Sequence, residues 1–311
     1  MINIKPKKIL VIRNDLRGDL IATTPGLIDL KKTFSSITVD LLVKTNSSMI
    51  VENCDFFDTL LVYSDRKNGI FNYLYSKIIT TYKVFIGNYD VIICPRSIYP
   101  KNAEFFLRIS NAKYKIGTNN EKKNIFNIHI PRRKDIHESL NVYRYLKPLG
   151  VMNTNQVPKI NPNLCIPSPP KNCIHLHISS DRKANQYNFE ILDRFIKNHN
   201  KKYIITFAPQ DIEKALKLNK NNNVIKIVTG VRESICVAKS SLFTICPDGG
   251  MVHFAWALNK KIIGLFPSKQ MFDQWCPKES KFFSCYSNTG RVSDINLSEL
   301  ESKIEIMIKS F

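Results

Sequence analysis

Pro247-Asp248-Gly249-Gly250-Met251-Val252-His253 joins an apolar run, Leu242 to Cys246, to a segment of small and apolar residues, Met251 to Leu258. The run reads as a buried strand and the segment as a helix, so two glycines stand at a strand-to-helix junction. They remove every Cβ where the chain turns. Backbone N–H groups at a helix start, in the positive end of its dipole, then form a site for a phosphate. Asp248 before the turn and His253 one turn into the helix flank it. The same residues also suit a plain tight turn, with Asp248 as N-cap and His253 as a satisfied helix residue.

A second segment changes the weight of the first. Lys8-Ile9-Leu10-Val11-Ile12-Arg13 is a short β-branched run charged at both ends, the pattern of a buried parallel strand. It leads into the polar loop Asn14-Asp15-Leu16-Arg17-Gly18-Asp19, after which Leu20 to Leu30 resumes at helical spacing. The first strand of an open α/β sheet commonly presents functional groups at its C-terminal end. Asp19 is placed there for general-base work, and it suits a plain N-cap equally well.

Strand-like runs recur at Thr38–Val43, Thr59–Tyr63 and Asp90–Cys94, with helix-like or polar segments between them, so the first half reads as a parallel doubly wound sheet. His137 to Leu149 has helical spacing and ends at Gly150, a natural C-cap. Five prolines between Pro158 and Pro170 block regular structure and place a linker at 158–170, giving domains at 1–160 and 171–311. The second half repeats the pattern. Strands are predicted at Cys173–Ile178, Tyr203–Phe207, Val224–Val228, Leu242–Cys246 and Lys261–Phe266. Helices are predicted at Asn188–Lys197, Gln210–Leu218, Arg232–Lys239 and Met251–Leu258, with a closing amphipathic helix at Leu297–Ile308.

Lysine and arginine number 46 against 26 aspartates and glutamates, a net +20 at pH 7. Such an excess must be solvated or matched by an anionic partner: nucleic acid, an acidic lipid leaflet or a phosphorylated glycolipid. No RNA-binding aromatic motif or zinc finger accompanies it, which counts against nucleic acid. Modest basic clusters stand at Lys5-Lys7-Lys8, Lys122-Lys123 and Arg132-Arg133-Lys134. The eight cysteines show no CxxC pair, so neither a zinc site nor a disulfide framework is expected. His175 and His177, alternating on one strand, lack a third metal ligand and read as structural. No apolar run approaches the ~18 residues of a membrane span. The segment Ile9 to Ile12 is too short for a signal peptide, so a cytoplasmic location is expected.

Together these pieces resemble a known family. Ile9-Leu10-Val11-Ile12-Arg13, Gly18-Asp19, Thr24-Pro25 and Leu27 match the opening of the bacterial heptosyltransferases of glycosyltransferase family 9. Asp248-Gly249-Gly250-Met251-Val252-His253, with Ala255, Ala257-Leu258 and Ile262-Ile263-Gly264-Leu265-Phe266, is similar to that family's C-terminal signature. The resemblance spans roughly residues 8 to 295.

It implies a GT-B architecture, two Rossmann-like domains facing a central cleft, with an N-terminal acceptor domain and a C-terminal donor domain. The closing helix of such proteins often packs back on the first domain. The implied reaction is an inverting transfer of heptose from ADP-heptose to the phosphorylated, lipid A-linked core of lipopolysaccharide. Asp19 takes the role of general base, and Arg13 and Arg17 that of acceptor ligands; as a plain loop cation, Arg17 is merely solvated. The amides of Gly249, Gly250 and Met251 would hold the diphosphate, with Asp248 on sugar hydroxyls or orienting a nearby cation and His253 behind it. Ser179, Ser180 and Lys183 correspond to the family's phosphate loop, and Asp211 to the acid on the adenosine ribose, or else to the first turn of the next helix. The family has its lysine two residues before a Trp-Pro pair. Here Asn185-Gln186-Tyr187-Asn188 follows, so Lys183 acts from a longer loop, or Arg182 or a lysine from elsewhere replaces it. Phe272, Trp275 and Pro277 read as packing. No cofactor or metal is expected, because no Asp-x-Asp is placed to hold a divalent cation on a diphosphate. The acceptor implies peripheral attachment to the inner face of the cytoplasmic membrane. Two other readings are a GT-B enzyme using a different nucleotide sugar, and a non-catalytic, basic Rossmann-like protein that binds nucleic acid.

Overall fold

A computed structural model describes residues 6–131, 133–165, 172–198 and 201–310. Lys5, Arg132 and the linker prolines Pro167, Pro169 and Pro170 lie outside the described residues. The chain divides into two compact units, Met1–Asn161 and Pro162–Phe311.

In the first unit the strands are β1 (Lys8–Ile12), β2 (Thr38–Lys44), β3 (Thr59–Tyr63), β4 (Val91–Ile93), β5 (Tyr114–Gly117) and β6 (Ile128–His129). They form one parallel sheet in the order β3-β2-β1-β4-β5-β6. The helices between them are α1 (Arg17–Thr33), α2 (Thr45–Val51), α3 (Ile70–Ile86), α4 (Glu104–Ile109) and, after β6, α5 (Glu138–Leu146). The second unit has β7 (Ile174–His177), β8 (Tyr203–Phe207), β9 (Val224–Thr229), β10 (Phe243–Pro247), β11 (Lys261–Phe266) and β12 (Cys285–Tyr286). Its parallel sheet runs β12-β11-β10-β7-β8-β9. Its helices are α6 (Phe189–Asn198), α7 (Ile212–Leu218), α8 (Val231–Ser240), α9 (Gly250–Ala257), α10 (Lys269–Trp275) and α11 (Leu297–Lys309).

The two sheets share one topology. The chain builds outward from β1 to β3, then crosses back to place β4 on the other side of β1; it repeats the move from β7 to β9 and then β10. Strand order therefore reverses between β1 and β4, and again between β7 and β10. In open α/β sheets a crevice opens beyond the carboxyl ends of the strands at that point, and ligands bind there. The central strands are buried on both faces, which is why Leu10, Ile12, Leu42 and Ile92 of the first unit, and Ile174, Leu176, Ile205 and Ile245 of the second, read as unbroken apolar runs.

Sequence detail explains helix α1. Pro25 inside it has no N–H for the carbonyl of Ile21, and the Thr24 hydroxyl donates to that oxygen instead, at 2.9 Å. A Cβ on Gly26 would lie 2.7 Å from Val142 Cγ1, so this glycine lets α1 and α5 pack closely.

Three short strands have no counterpart among the sequence expectations: β5, β6 and β12, of two to four residues each. Strands that short carry no period. Leu300, Ile304 and Met307 of the closing helix α11 belong to the core of the second unit, and Lys303 Nζ donates to the carbonyl of Ser284 at 2.8 Å.

Candidate functional site

At the β1/β4 switch point, Arg13 follows β1 directly and is 1% exposed. A buried guanidinium needs compensation for lost hydration. Nε donates to the carbonyl of Asp19 at 3.2 Å and lies 3.3 Å from Asp15 Oδ1. Nη2 donates to Asp19 Oδ1 at 3.1 Å and lies 3.6 Å from Glu138 Oε1, while Nη1 donates to the carbonyl of Pro95 just beyond β4. Arg96 closes the group, its Nε 3.1 Å from Asp15 Oδ2. Glu138, at the start of α5, accepts from Ser97 Oγ at 3.1 Å and Asn141 Nδ2 at 3.3 Å. Asn14 Nδ2 donates to Tyr63 OH at 2.9 Å, tying the loop to the end of β3.

Three carboxylates thus share two guanidiniums. Asp15 and Glu138 are 8% and 3% exposed, whereas Asp19 is 18% exposed. Only Asp19 of the three offers more than a trace of surface to a ligand. Burial, and after it the negative charge of Asp15, lift its carboxyl to about 7 against the pull of Arg13. The N-cap of α1 is Leu16, not Asp19, which stands in the first turn, where the helix dipole favours an acid.

Arg13 is thus taken up by carboxylates and two carbonyls of its own chain. Arg17 is partly exposed, with Nε donating to the carbonyl of Asn46 at 2.9 Å.

At the β7/β10 switch point, Asp248 directly follows β10 and is 4% exposed. Its amide donates to the carbonyl of Leu265 at 2.7 Å. Asn185, fully buried, donates from Nδ2 to the Asp248 carbonyl at 2.6 Å and to Oδ2 at 3.2 Å. Arg182 Nη1 lies 3.7 Å from the same Oδ2. Burial raises the Asp248 carboxyl above the usual range, against the pull of Arg182 and Asn185. Asp248 is not the N-cap; Gly249 is, and no side chain caps α9.

Both glycines are exposed. Gly249 is extended, at φ 163° and ψ −168°, a backbone any residue adopts, and a Cβ there would meet nothing nearer than Pro247 O at 3.8 Å. A Cβ on Gly250 would meet only Phe254 Cε2, also at 3.8 Å. Neither dihedral strain nor packing demands glycine here. What the pair provides is bare backbone in front of the first-turn amides of α9. His253 is buried, its ring 5.5 Å from Trp275.

The other second-unit residues divide in use. Ser179 is buried, and its hydroxyl accepts from the Ala208 amide at 2.7 Å, joining the loops after β7 and β8. Ser180 Oγ accepts from the Arg182 amide at 3.3 Å. Lys183 is exposed on a 3-10 turn, Lys183–Asn185. Asp211 is buried after β8, paired with Lys214 at 2.9 Å. Ser179, Ser180, Lys183, Asp211 and Asp248 to Met251 all follow carboxyl ends of strands in the second sheet; Arg13, Arg17 and Asp19 do so in the first. Sequence reasoning missed Asp15, Arg96 and Glu138 around Arg13, and Asn185 behind Asp248. The only signal for Asn185 was that it stands where the resemblance breaks.

His175 is buried within β7, with Nε2 2.7 Å from Thr206 Oγ1 and Nδ1 3.1 Å from Thr244 Oγ1; His177 Nδ1 lies 2.8 Å from Thr206 Oγ1. Burial lowers the pKa of both rings, that of His177 to about 4. Among the described residues no group of three or more His, Cys, Asp or Glu is placed to hold a metal ion.

No family model matches the chain, and no curated protein matches it in sequence. Solved structures do match in fold. A glycosyl transferase of family 9 from Veillonella parvula superimposes with a TM-score of 0.83 at 16% identity, covering 100% of this chain and 99% of that one. The E. coli heptosyltransferase WaaC, solved with ADP, gives 0.78 at 15% identity over 96% and 99% of the two chains. The E. coli ADP-heptose LPS heptosyltransferase II gives 0.74 at 12% identity over 97% and 99%. The fold is therefore GT-B, that of the family 9 glycosyltransferases.

Proposed function

We propose that this protein is an inverting glycosyltransferase of family 9 that moves heptose from ADP-heptose to a phosphorylated, lipid A-linked core sugar. The observation that carries the reading is Asp19. It is a carboxylate clamped by a buried arginine, left partly open at a switch point and lifted toward neutral pH, which is what a general base for a hydroxyl requires. In the proposed step Asp19 takes the proton of an acceptor hydroxyl as its oxygen bonds the anomeric carbon. The bond from that carbon to the diphosphate breaks, its electron pair leaving with ADP.

The first-turn amides of α9 at Gly249, Gly250 and Met251 would stabilise that departing charge. Arg182 and Lys183 add positive field, Asp248 meets sugar hydroxyls with His253 behind it, Ser179 and Ser180 shape the phosphate loop, and Asp211 faces the ribose. With a helix terminus and basic side chains in that role, the reaction needs no metal ion. Turnover that disappears with EDTA and returns with Mn²⁺ would contradict this. Support for the donor comes from similarity of fold to enzymes solved with ADP and with an ADP-2-deoxy-2-fluoro heptose. The lipid-linked acceptor would place the protein in the cytoplasm, peripherally on the inner leaflet.

Another nucleotide sugar is the second reading, favoured by one observation. Asn185 is committed to Asp248 where the resemblance expects a Trp-Pro pair, so the wall of the phosphate loop differs. Calorimetric titration with ADP- and UDP-sugars separates the two. Binding of ADP-heptose with release of ADP on turnover is expected. Preference for a UDP-sugar would replace the donor, and binding of neither would remove the reading.

A further inference from the structure

Helix α3 is packed in reverse. Its inward side is narrow: Tyr73 packs on the core, Ser76 Oγ accepts from the Ser64 amide at 2.8 Å, Thr80 Oγ1 donates to the Val62 carbonyl at 3.0 Å, and Val84 is buried. The opposite side is apolar and exposed. Phe71, Leu74, Tyr75, Ile78, Tyr82 and Phe85 recur at spacings of three, four and seven, so they fall on one stripe. Phe71 is 84% exposed and Ile78 is 68% exposed. No charged residue interrupts the stripe. A soluble helix normally shows the opposite arrangement, and a contiguous exposed apolar face marks an interaction surface.

Charge and side-chain type identify the occupant. Between Asp65 and Asp90 the chain carries Arg66, Lys67, Lys77 and Lys83 and no acidic residue. A second copy would bring the same four cations against them. An anionic lipid surface complements them, and the tyrosines and phenylalanines suit the boundary between headgroups and acyl chains. At 17 residues α3 is ~25 Å long, and among the described residues no helix is long and apolar enough to cross a membrane. Such a helix lies in the interface with its apolar face among the acyl chains.

We infer that the outward face of α3 inserts into the surface of an anionic membrane and is the docking element of the first unit. This deepens the peripheral attachment proposed above and moves it away from the basic clusters. Those clusters do not share one edge: Lys8 begins β1 and pairs with Asp40 at 3.4 Å, while Arg133 lies beyond β6 and pairs with Asp135. Helix α3 instead starts just after β3, at the carboxyl edge that also carries Asp19. A lipid-linked acceptor on the docked surface would lie on the side of the sheet where the base stands.

Flotation of the full chain with vesicles tests this, using phosphatidylethanolamine with phosphatidylglycerol, and phosphatidylcholine alone. The wild type should float with the anionic vesicles and keep part of its binding in high salt, because the apolar contribution is not screened. Ile78→Asp with Tyr82→Asp should cut binding ~10-fold or more while turnover on a deacylated, water-soluble acceptor stays at the wild-type level. Tyr82→Trp should float like the wild type and shift its emission to the blue on anionic vesicles. Wild-type-like flotation of the double variant would overturn the inference, as would failure of the wild type to float. A dimer in light scattering that the double variant dissociates, with no vesicle binding, would assign the face to a second copy. Flotation needs no catalysis, so loss of the glycosyl-transfer reading would leave this result intact.

Discussion

The two switch points have the same strand order and opposite contents. At β1/β4 the crevice is filled by charge: two guanidiniums and three carboxylates, all but one of the acids withdrawn from solvent. At β7/β10 the corresponding place is bare backbone, two exposed glycines ahead of an uncapped helix. Under the function proposed above, the contrast follows from what each would do. A base has to be held at one position with a chosen pKa, which takes fixed charges around it. A site for a diphosphate gains from donors that are already oriented and not occluded, which a helix start without Cβ atoms offers. On that reading, a fold duplicated in topology is specialised by side chains at one crevice and by their removal at the other.

The largest effect is expected from emptying the charged crevice. Arg13→Leu removes the cation that three acids surround, and breaking a buried ion pair by deleting one partner typically costs ~3–5 kcal/mol. Chemical denaturation should show that loss in the first unit. A stability within ~1 kcal/mol of wild type would mean that the acids simply take up protons, and that the cluster is not what holds the loop. Arg17→Leu, on the partly exposed neighbour, should stay within ~0.5 kcal/mol.

Next comes the chemistry of the acid at the surface. Asp19→Asn keeps the shape and should lower turnover at least ~10²-fold with donor affinity nearly unchanged. The wild-type rate should fall as pH drops below about 7, where the Asp19 carboxyl takes up its proton. Turnover near wild type in the Asn variant, or a flat profile between pH 5 and 8, would remove Asp19 from the mechanism.

The second unit should answer to acid in a different way. His175 is buried and His177 half-buried in β7, and desolvation lowers the pKa of both below the ordinary 6.5. The unfolded chain therefore binds more protons than the folded one between about pH 6.5 and 4, so stability rises with pH across that window and is lost on acidification. One such histidine changes stability by on the order of 1–2 kcal/mol between pH 7 and 5. His175→Gln should flatten the slope. Equal acid sensitivity in that variant would move the cause to other groups.

Much of this contrast was readable in the chain, and the unread part has a common cause. The apolar runs of β1, β2, β8 and β11 and the Asp248-Gly249-Gly250 turn are local signals, set by burial on both faces or by the absence of a side chain. The partners of Arg13 are not local. Glu138 begins a helix as many acids do, and nothing in its neighbours says that folding carries it across the sheet to residue 13. The sequence therefore offered Arg13 as a ligand of the acceptor and gave no sign that it pairs with Asp15, Asp19 and Glu138. Asn185 was visible only as a departure from a pattern. Helix α3 fell in a stretch between two predicted strands that was read only as helix-like or polar, and its outward face was not visible. Apolar spacing shows that a face exists, and only the inward hydrogen bonds of Ser76 and Thr80 reveal which way it points.

The smallest effect belongs to the bare crevice, and it separates the two regions most cleanly. Gly250→Val adds a side chain where the nearest atom, Phe254 Cε2, is 3.8 Å from the new Cβ. Because the glycine is neither strained nor crowded, the substitution should not unfold the turn, and stability should change by less than ~1 kcal/mol. The cost should fall on the ligand. Branched carbons in front of the first-turn amides hold an anion away from them, and losing one good charge-assisted contact weakens affinity ~10-fold. Calorimetry with ADP should report that loss, with acceptor affinity unchanged. Gly250→Ala, with a smaller obstruction, should fall between Val and wild type. If both variants bind ADP as the wild type does, the glycines serve only the turn and the diphosphate is held elsewhere, by Arg182 and Lys183. If instead both variants unfold, the turn needs glycine for a reason of backbone, against the extended dihedrals of Gly249 and the open space at Gly250.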